Sequence, residues 1–338
     1  ISVNQQHEKY GNYNFLSQFA NSNVGVWPHT VMFYGLEDEK APMYGNENFI
    51  GMKNFMLSQK DKRPNWFYPE TSWWLGMDID VPIFLTDYLY SRAKDFKLCY
   101  LAEIEGHVNF TTGQALGYWL FDWNLALITD LDYDFNPTIG LKLLGEPLPF
   151  WKKMIKYQHE WIKKKGIITM ISAPNLQDEL SSEHRIHNRF LLKELRKNPE
   201  ETQRQHDLLE IAIKEWPDHS VVKNDELREV LEITFLRMYH ALYLRKALLD
   251  MNERKHWVSE ARNYRRKADD LIAKVSQYKT NYPQLPLFEE FENPTSYQFG
   301  YAYPAASSYW WKREEQQIMR DSYIPWRGNI FNVWSILF

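Results

Sequence analysis

At 338 residues, with 44% hydrophobic and 25% charged residues, the chain has the make-up of a globular protein long enough for two domains. A formal net charge of −4 supplies no basic excess to neutralise phosphates, which argues against nucleic acid as a partner. No apolar run reaches the roughly 18 residues that a membrane span needs, and the single cysteine, Cys99, excludes an intrachain disulfide or a cysteine-based zinc cluster.

The chain begins at Ile1, and its first twenty residues, rich in Asn, Gln and Tyr, read as the interior of a longer protein. V-G-V-W-P-H-T-V-M-F-Y (24–34) is β-branched and aromatic, which predicts a buried strand ending in a polar loop. Phe49, Met52, Phe55 and Met56 repeat at helical spacing up to K-D-K-R-P. Asn65 to Pro69 is the next strand candidate. Pro82 is placed to open a helix through Leu85, Leu89 and Ala93. His107 to Phe110 is a third extended piece, and Gly113 to Ile128 reads as a helix.

This alternation favours parallel strands and right-handed crossovers. The expectation is an α/β region followed by a mainly α one: the C-terminal portion of a (β/α)8-like barrel completed by upstream sequence, then a helical domain with an aromatic C-terminal extension. A small open sheet covered by the helical region is the alternative. The corresponding domains are 1–145, 146–280 and 281–338. In the second, Phe150 to Lys164 is an amphipathic helix, and Asn198-Pro199-Glu200-Glu201 is a helix start with cap, proline and acids in order. Asn224-Asp225-Glu226 opens the clearest apolar stripe, Leu227 through Leu249, and a charged helix spans about 253–278.

Aromatic residues make up 16% of the chain, and W-F-Y-P-E-T-S-W-W concentrates them around Glu70. Such rings supply stacking surfaces with polar edges, as interfaces and carbohydrate clefts require. Glycoside hydrolysis needs two carboxylates beside such a surface. Glu70, at a predicted strand end, is the candidate acid, with Asp38 or Glu37 as its partner; Glu103 and Glu105 precede a predicted strand and are weaker. Trp66, Trp73, Trp74, His107 and Trp119 are candidate substrate contacts, and His29 a further residue lining the site. The competing reading is a buried glutamate bonded to an indole or backbone N–H.

Metal signals are weak. His184 and His187 lack an H-E-x-x-H context, and Asp130, Asp132 and Asp134 lack the glycine and glutamate of a calcium loop, Phe135 and Leu141 standing there instead. No metal is expected, and without G-x-G-x-x-G, Walker A or G-x-S-x-G no cofactor is expected either.

M-F-Y-G-L-E-D, N-W-F-Y-P-E-T-S-W-W, D-V-P-I-F-L, G-Y-W-L-F-D-W and the tail Y-W-W-K-R-E-E-Q-Q-I-M-R resemble a largely uncharacterised group of bacterial exported proteins. In that group a glycoside-hydrolase-like, TIM-barrel-like domain precedes a helical one. The resemblance implies a periplasmic, cell-surface or extracellular location and a carbohydrate-related role. Gln114-Ala115-Leu116 departs from the group where an acid is expected, which suits a binding or structural derivative. Three functions stand open: a glycosidase, a non-catalytic envelope or scaffold protein, and a helical adaptor docking its aromatic tail on another subunit. In the first two an upstream segment or another subunit would complete the fold.

Overall fold

The computed structural model describes residues 13–41, 48–71, 83–111, 116–130, 134–172, 195–279 and 309–319. The predicted extended pieces lie side by side, in parallel, but scarcely as strands. β1 (Trp66–Phe67) pairs with β2 (Gly106–His107), Trp66 opposite Gly106 and Phe67 opposite His107. Isolated parallel bridges join Val26 to Asn65, His29 to Tyr68 and Glu70 to Phe110. The middle segment, 65–70, therefore has one neighbour on each side.

Two prolines explain why the ladders stay so short. On one seam Trp66 N–H donates to Val26 O, Tyr68 N–H to Pro28 O and Thr30 N–H to Tyr68 O, at 3.0, 2.9 and 3.2 Å. The intervening donor would be the amide of Pro28, which has none. On the other seam Val108 N–H donates to Phe67 O, Phe110 N–H to Pro69 O and Thr71 N–H to Phe110 O, at 2.9, 2.8 and 2.9 Å. There the missing donor is Pro69. A proline inside a ladder removes one bond and ends the regular strand.

The expected (β/α)8-like barrel is thus not seen in the described residues. Among the described residues the sheet has two strands of two residues, and the fold is mainly helical. The α/β class and the TIM-barrel assignment are corrected accordingly. β-branched and aromatic side chains mark an extended path, but backbone donors, which Pro28 and Pro69 lack, decide whether it becomes a strand.

The chain folds as two compact units. The first comprises Ile1–Trp73, Thr86–Thr111 and Leu120–Leu144. Its helices are α1 (Ile50–Gln59), α2 (Asp87–Leu101), α3 (Trp119–Asp130, of which Trp119 belongs to the second unit) and α4 (Ile139–Leu143). A core of Leu36, Met56, Phe67, Ala93, Phe96, Cys99, Leu125 and Ile128 fills the side of the array that the helices cover. Buried arginines fasten the loops. Arg92 donates to Thr30 Oγ1 at 2.8 Å and Tyr34 O at 2.5 Å, while Asp95 takes Leu36 N–H at 2.8 Å. Arg63 closes the 3-10 helix Tyr13–Phe19 by donating to the carbonyls of Ser17, Gln18, Ala20 and Val24.

The second unit comprises Trp74–Leu85, Thr112–Trp119 and Gly145–Phe338. It contains α5 (Leu148–Tyr157), a π-helical run Gln158–Lys164 where a continuous helix is predicted, α6 (Ile168–Ile171), α7 (Pro199–Glu215), α8 (Asp225–Leu249), α9 (Arg254–Lys279) and α10 (Tyr309–Met319). The predicted starts of α7 and α8 are real caps: Asn198 Oδ1 accepts from Glu201 N–H at 3.1 Å, and Asn224 Oδ1 from Leu227 N–H at 3.0 Å. α8 is the central helix, with Leu227, Val230, Leu231, Met238 and Ala241 all buried.

Of the helix predicted over Gly113–Ile128, residues 113–115 lie outside the described residues, and the described helix starts at Trp119. Leu116 and Gly117 before it are left-handed, at φ 54° and 79°. Gly117 N–H reaches Glu226 Oε1 at 2.7 Å, and a β-carbon there would lie 2.9 Å from the Phe84 ring, so only glycine fits. The helix predicted from Pro82 begins at Asp87, and Pro82 itself lies outside the described residues.

Candidate functional site

Alternation along the three parallel segments sorts their side chains. Phe67 and His107 point to the helix-covered side, where His107 stands edge-on to Phe96 at 4.7 Å. Trp66 and Gly106 point the other way, and the Trp66 ring lies over Gly106, 3.6 Å from where a β-carbon would sit. Trp27, His29, Tyr68 and Phe110 complete this second face. Trp27 and Trp66 lie 16° from parallel with centroids 6.5 Å apart, and they are 58% and 40% exposed, large values for tryptophan. Tyr68 meets Trp27 and Phe110 edge-on, each at 6.2 Å, and His29 at a tilt of 38° and 4.7 Å.

Glu70 ends the middle segment on the same face and is buried, at 2%. One carboxylate oxygen, Oε2, accepts the N–H of Met32, whose own backbone is left-handed at φ 55°. The other, Oε1, lies 3.1 Å from His29 Nε2. His29 Nδ1 lies 2.7 Å from Tyr68 O. A carbonyl can only accept, so Nδ1 carries a proton, and the contact between Nε2 and Glu70 must share one more. The pair is either imidazolium with carboxylate or imidazole with carboxylic acid. Glu70 thereby fixes the His29 ring, which is about one-third exposed beside the tryptophans.

A second carboxylate closes the same ends of the segments. Asp122, in the first turn of α3, accepts from Thr71 Oγ1, from Asn109 Nδ2 at 3.0 Å and from Thr111 Oγ1 at 2.7 Å. Asn109 Nδ2 also reaches Thr71 Oγ1 at 2.9 Å. These bonds tie the segment ends to the start of the helix.

The other predicted residues are placed as follows. Glu37 bonds Lys53 at 3.2 Å and Lys94 at 3.1 Å, and these ammonium groups, Lys94 foremost, hold its carboxyl below the usual range. Asp38 accepts Gly35 N–H at 2.7 Å, a turn contact. Glu103 pairs with Lys60 at 2.6 Å on the surface. Trp119 donates its indole N–H to Glu226 at 3.1 Å in the second unit. Trp73, Trp74, Gln114, His184 and His187 lie outside the described residues, as do Asp132 and the side chain of Asp130. Among the described residues no group of three or more His, Cys, Asp or Glu could hold a metal ion, and no helix is long and apolar enough to cross a membrane.

The structure therefore brings Glu70 and Trp66 together with Trp27 and His29. The sequence alone places His29 at the site but passes over Trp27 and Asp122. The signal for Trp27 is period two: W-P-H on the first segment matches W-F-Y-P-E on the second. Asp122 carries no local signal beyond its place in G-Y-W-L-F-D-W, because its partners come from Thr71, Asn109 and Thr111.

No protein-family model, no curated protein and no solved structure matches the chain.

Proposed function

We propose that the protein binds carbohydrate on the face formed by Trp27, Trp66, Tyr68 and His29, with Glu70 as the buried group that orients His29. The observation that carries this reading is the near-parallel, largely exposed Trp27–Trp66 pair beside a polar pair with a fixed ring. Flat apolar faces suit the C–H face of a sugar, and an oriented imidazole edge suits its hydroxyls. A periplasmic, cell-surface or extracellular place of action in a bacterium accords with this role. Binding to a glycan panel, followed by calorimetry on the best ligand, tests it. Trp66→Ala and Trp27→Ala are each expected to weaken that ligand by roughly tenfold or more, with stability within about 0.5 kcal/mol because both rings are exposed. A panel without a ligand, or a ligand indifferent to both substitutions, overturns the reading.

One observation favours a second reading, a non-catalytic scaffold that reuses the face for another partner. Both Glu70 oxygens are engaged and the residue is almost inaccessible, which suits a positioning role better than acid catalysis. Glycan hydrolysis that Glu70→Gln abolishes, with binding retained, restores the glycosidase reading.

A further inference from the structure

The register of the three segments sets how a ligand can lie on the aromatic face. The bridges Val26–Asn65 and His29–Tyr68 put Trp27 and Trp66 side by side on neighbouring segments, so the line joining the two rings runs across the chain direction. A sugar held between two parallel rings needs a carbon–carbon contact on each side, about 7–8 Å in all. The ring centroids are 6.5 Å apart, too close for such a sandwich. The ligand has to lie on the open faces instead. A single sugar ring covers one indole, and covering both takes a second.

The same faces decide what charge the sugar carries. The negative π-cloud of an aromatic face attracts C–H groups and repels carboxylate or sulfate. An acidic sugar therefore needs a cation close by. The segments V-G-V-W-P-H-T, N-W-F-Y-P-E and G-H-V-N-F contain no Lys or Arg. His29 does not fill the gap, because its contact with Glu70 holds one shared proton. The pair is neutral as imidazolium with carboxylate and equally as imidazole with carboxylic acid. Five other cations of this unit are committed elsewhere: Arg92 to Thr30 and Tyr34, Arg63 to the carbonyls of the 3-10 helix, Lys53 and Lys94 to Glu37, and Lys60 to Glu103.

The ring edges add a demand for acceptors. Trp119, Trp151, Trp161 and Trp257 give their indole N–H to a carboxylate, and Trp216 gives its own to His219. Among the described residues the indole N–H of Trp27 and that of Trp66 have no such acceptor. Donors at the rim of a stacking surface suit hydroxyl oxygens. A carboxylate accepts from them too, but an N–H dipole does not offset a full charge, so the missing cation decides.

We propose that the ligand of this face is a neutral glycan chain of two or more sugar units, laid over Trp27 and Trp66 across the segments, and that acidic glycans are excluded. This rests on the carbohydrate reading and narrows it to one class of sugar.

Calorimetry on the full chain tests it with oligosaccharide pairs that differ only in charge. One pair is a gluco-oligosaccharide and its C6-oxidised uronate; the other is a galacturonate oligomer, methyl-esterified and as the free acid. Each neutral member is also supplied as the single sugar. The neutral oligomer is expected to bind roughly tenfold or more tighter than its acid and than the single sugar, with an affinity that salt leaves unchanged. Trp27→Ala or Trp66→Ala should remove the advantage over the single sugar. An acidic glycan as the best panel ligand, an acid binding as tightly as its neutral partner, or a single sugar as tight as the oligomer each overturn the proposal. The carbohydrate reading survives those results as long as binding depends on the two tryptophans. Silence from the panel and from both pairs overturns the carbohydrate reading itself, and the proposal with it.

Discussion

Replacing Glu70 separates its structural from its chemical role. In Glu70→Ala the buried Met32 N–H loses its acceptor and His29 Nε2 loses its partner. An unmet buried donor costs about 1–3 kcal/mol, and the space left by the side chain adds about 1 kcal/mol, while the His29 ring, one-third exposed, recovers part of its bond from water. The expected loss is about 2–4 kcal/mol. Glu70→Gln keeps the geometry: its oxygen can take Met32 N–H, and its amide can donate to Nε2, since Nδ1 already holds the ring proton on Tyr68 O. Its cost should stay near about 1 kcal/mol, the charge-assisted part of the bonds. Urea unfolding followed by tryptophan fluorescence measures both, with an unchanged slope as the check that only stability moved. If the alanine variant is no less stable than the glutamine one, the two bonds do not hold Glu70 as described and the argument about His29 fails.

Gly117→Ala should destabilise the second unit by about 2–4 kcal/mol. A left-handed backbone costs an alanine about 1–2 kcal/mol, and a methyl 2.9 Å from Phe84 and 3.1 Å from Val230 adds overpacking of about 1–3 kcal/mol; the same urea melts test it. Acid should also weaken this unit. Burial lowers the His240 imidazole below its ordinary 6.5, so stability falls as pH drops below that value. Burial alone would raise Glu315, but the bonds from His240 and Arg265 prevail and hold its carboxyl at about 2, so its contribution, up to about 3 kcal/mol, is lost between roughly pH 4.5 and 2. Melts from pH 7 to 3 in wild type and Glu315→Gln check this, the variant losing less on acidification.

Legibility follows the range of the interactions. The starts of α7 and α8 are readable because Asn198 and Asn224 bond amides three residues ahead. The three extended segments are readable from their β-branched and aromatic residues, and so is Glu70 at a segment end. The barrel misleads because the period of side chains says nothing of backbone donors, and Pro28 and Pro69 each remove one from the ladder. Leu116 and Gly117 read as helix because nothing local reveals that Phe84 and Val230 crowd Gly117. His107 reads as a cleft residue although, as the neighbour of Phe67, it belongs to the packed side. Asp122 gains meaning only from residues distant from it in the chain, Asn109 and Thr71.

Cys99 offers a way to watch one unit alone. Its thiol lies in the core beside Phe96 and Leu125, where burial foremost, and then Asp95, push its ionisation far up. A buried, un-ionised thiol does not react with alkylating or disulfide reagents until its surroundings open. As the only sulfhydryl in the chain, it reports openings of the Glu70-bearing unit without a signal from the helical one. Its labelling rate under native conditions is thus a clock for that unit's excursions.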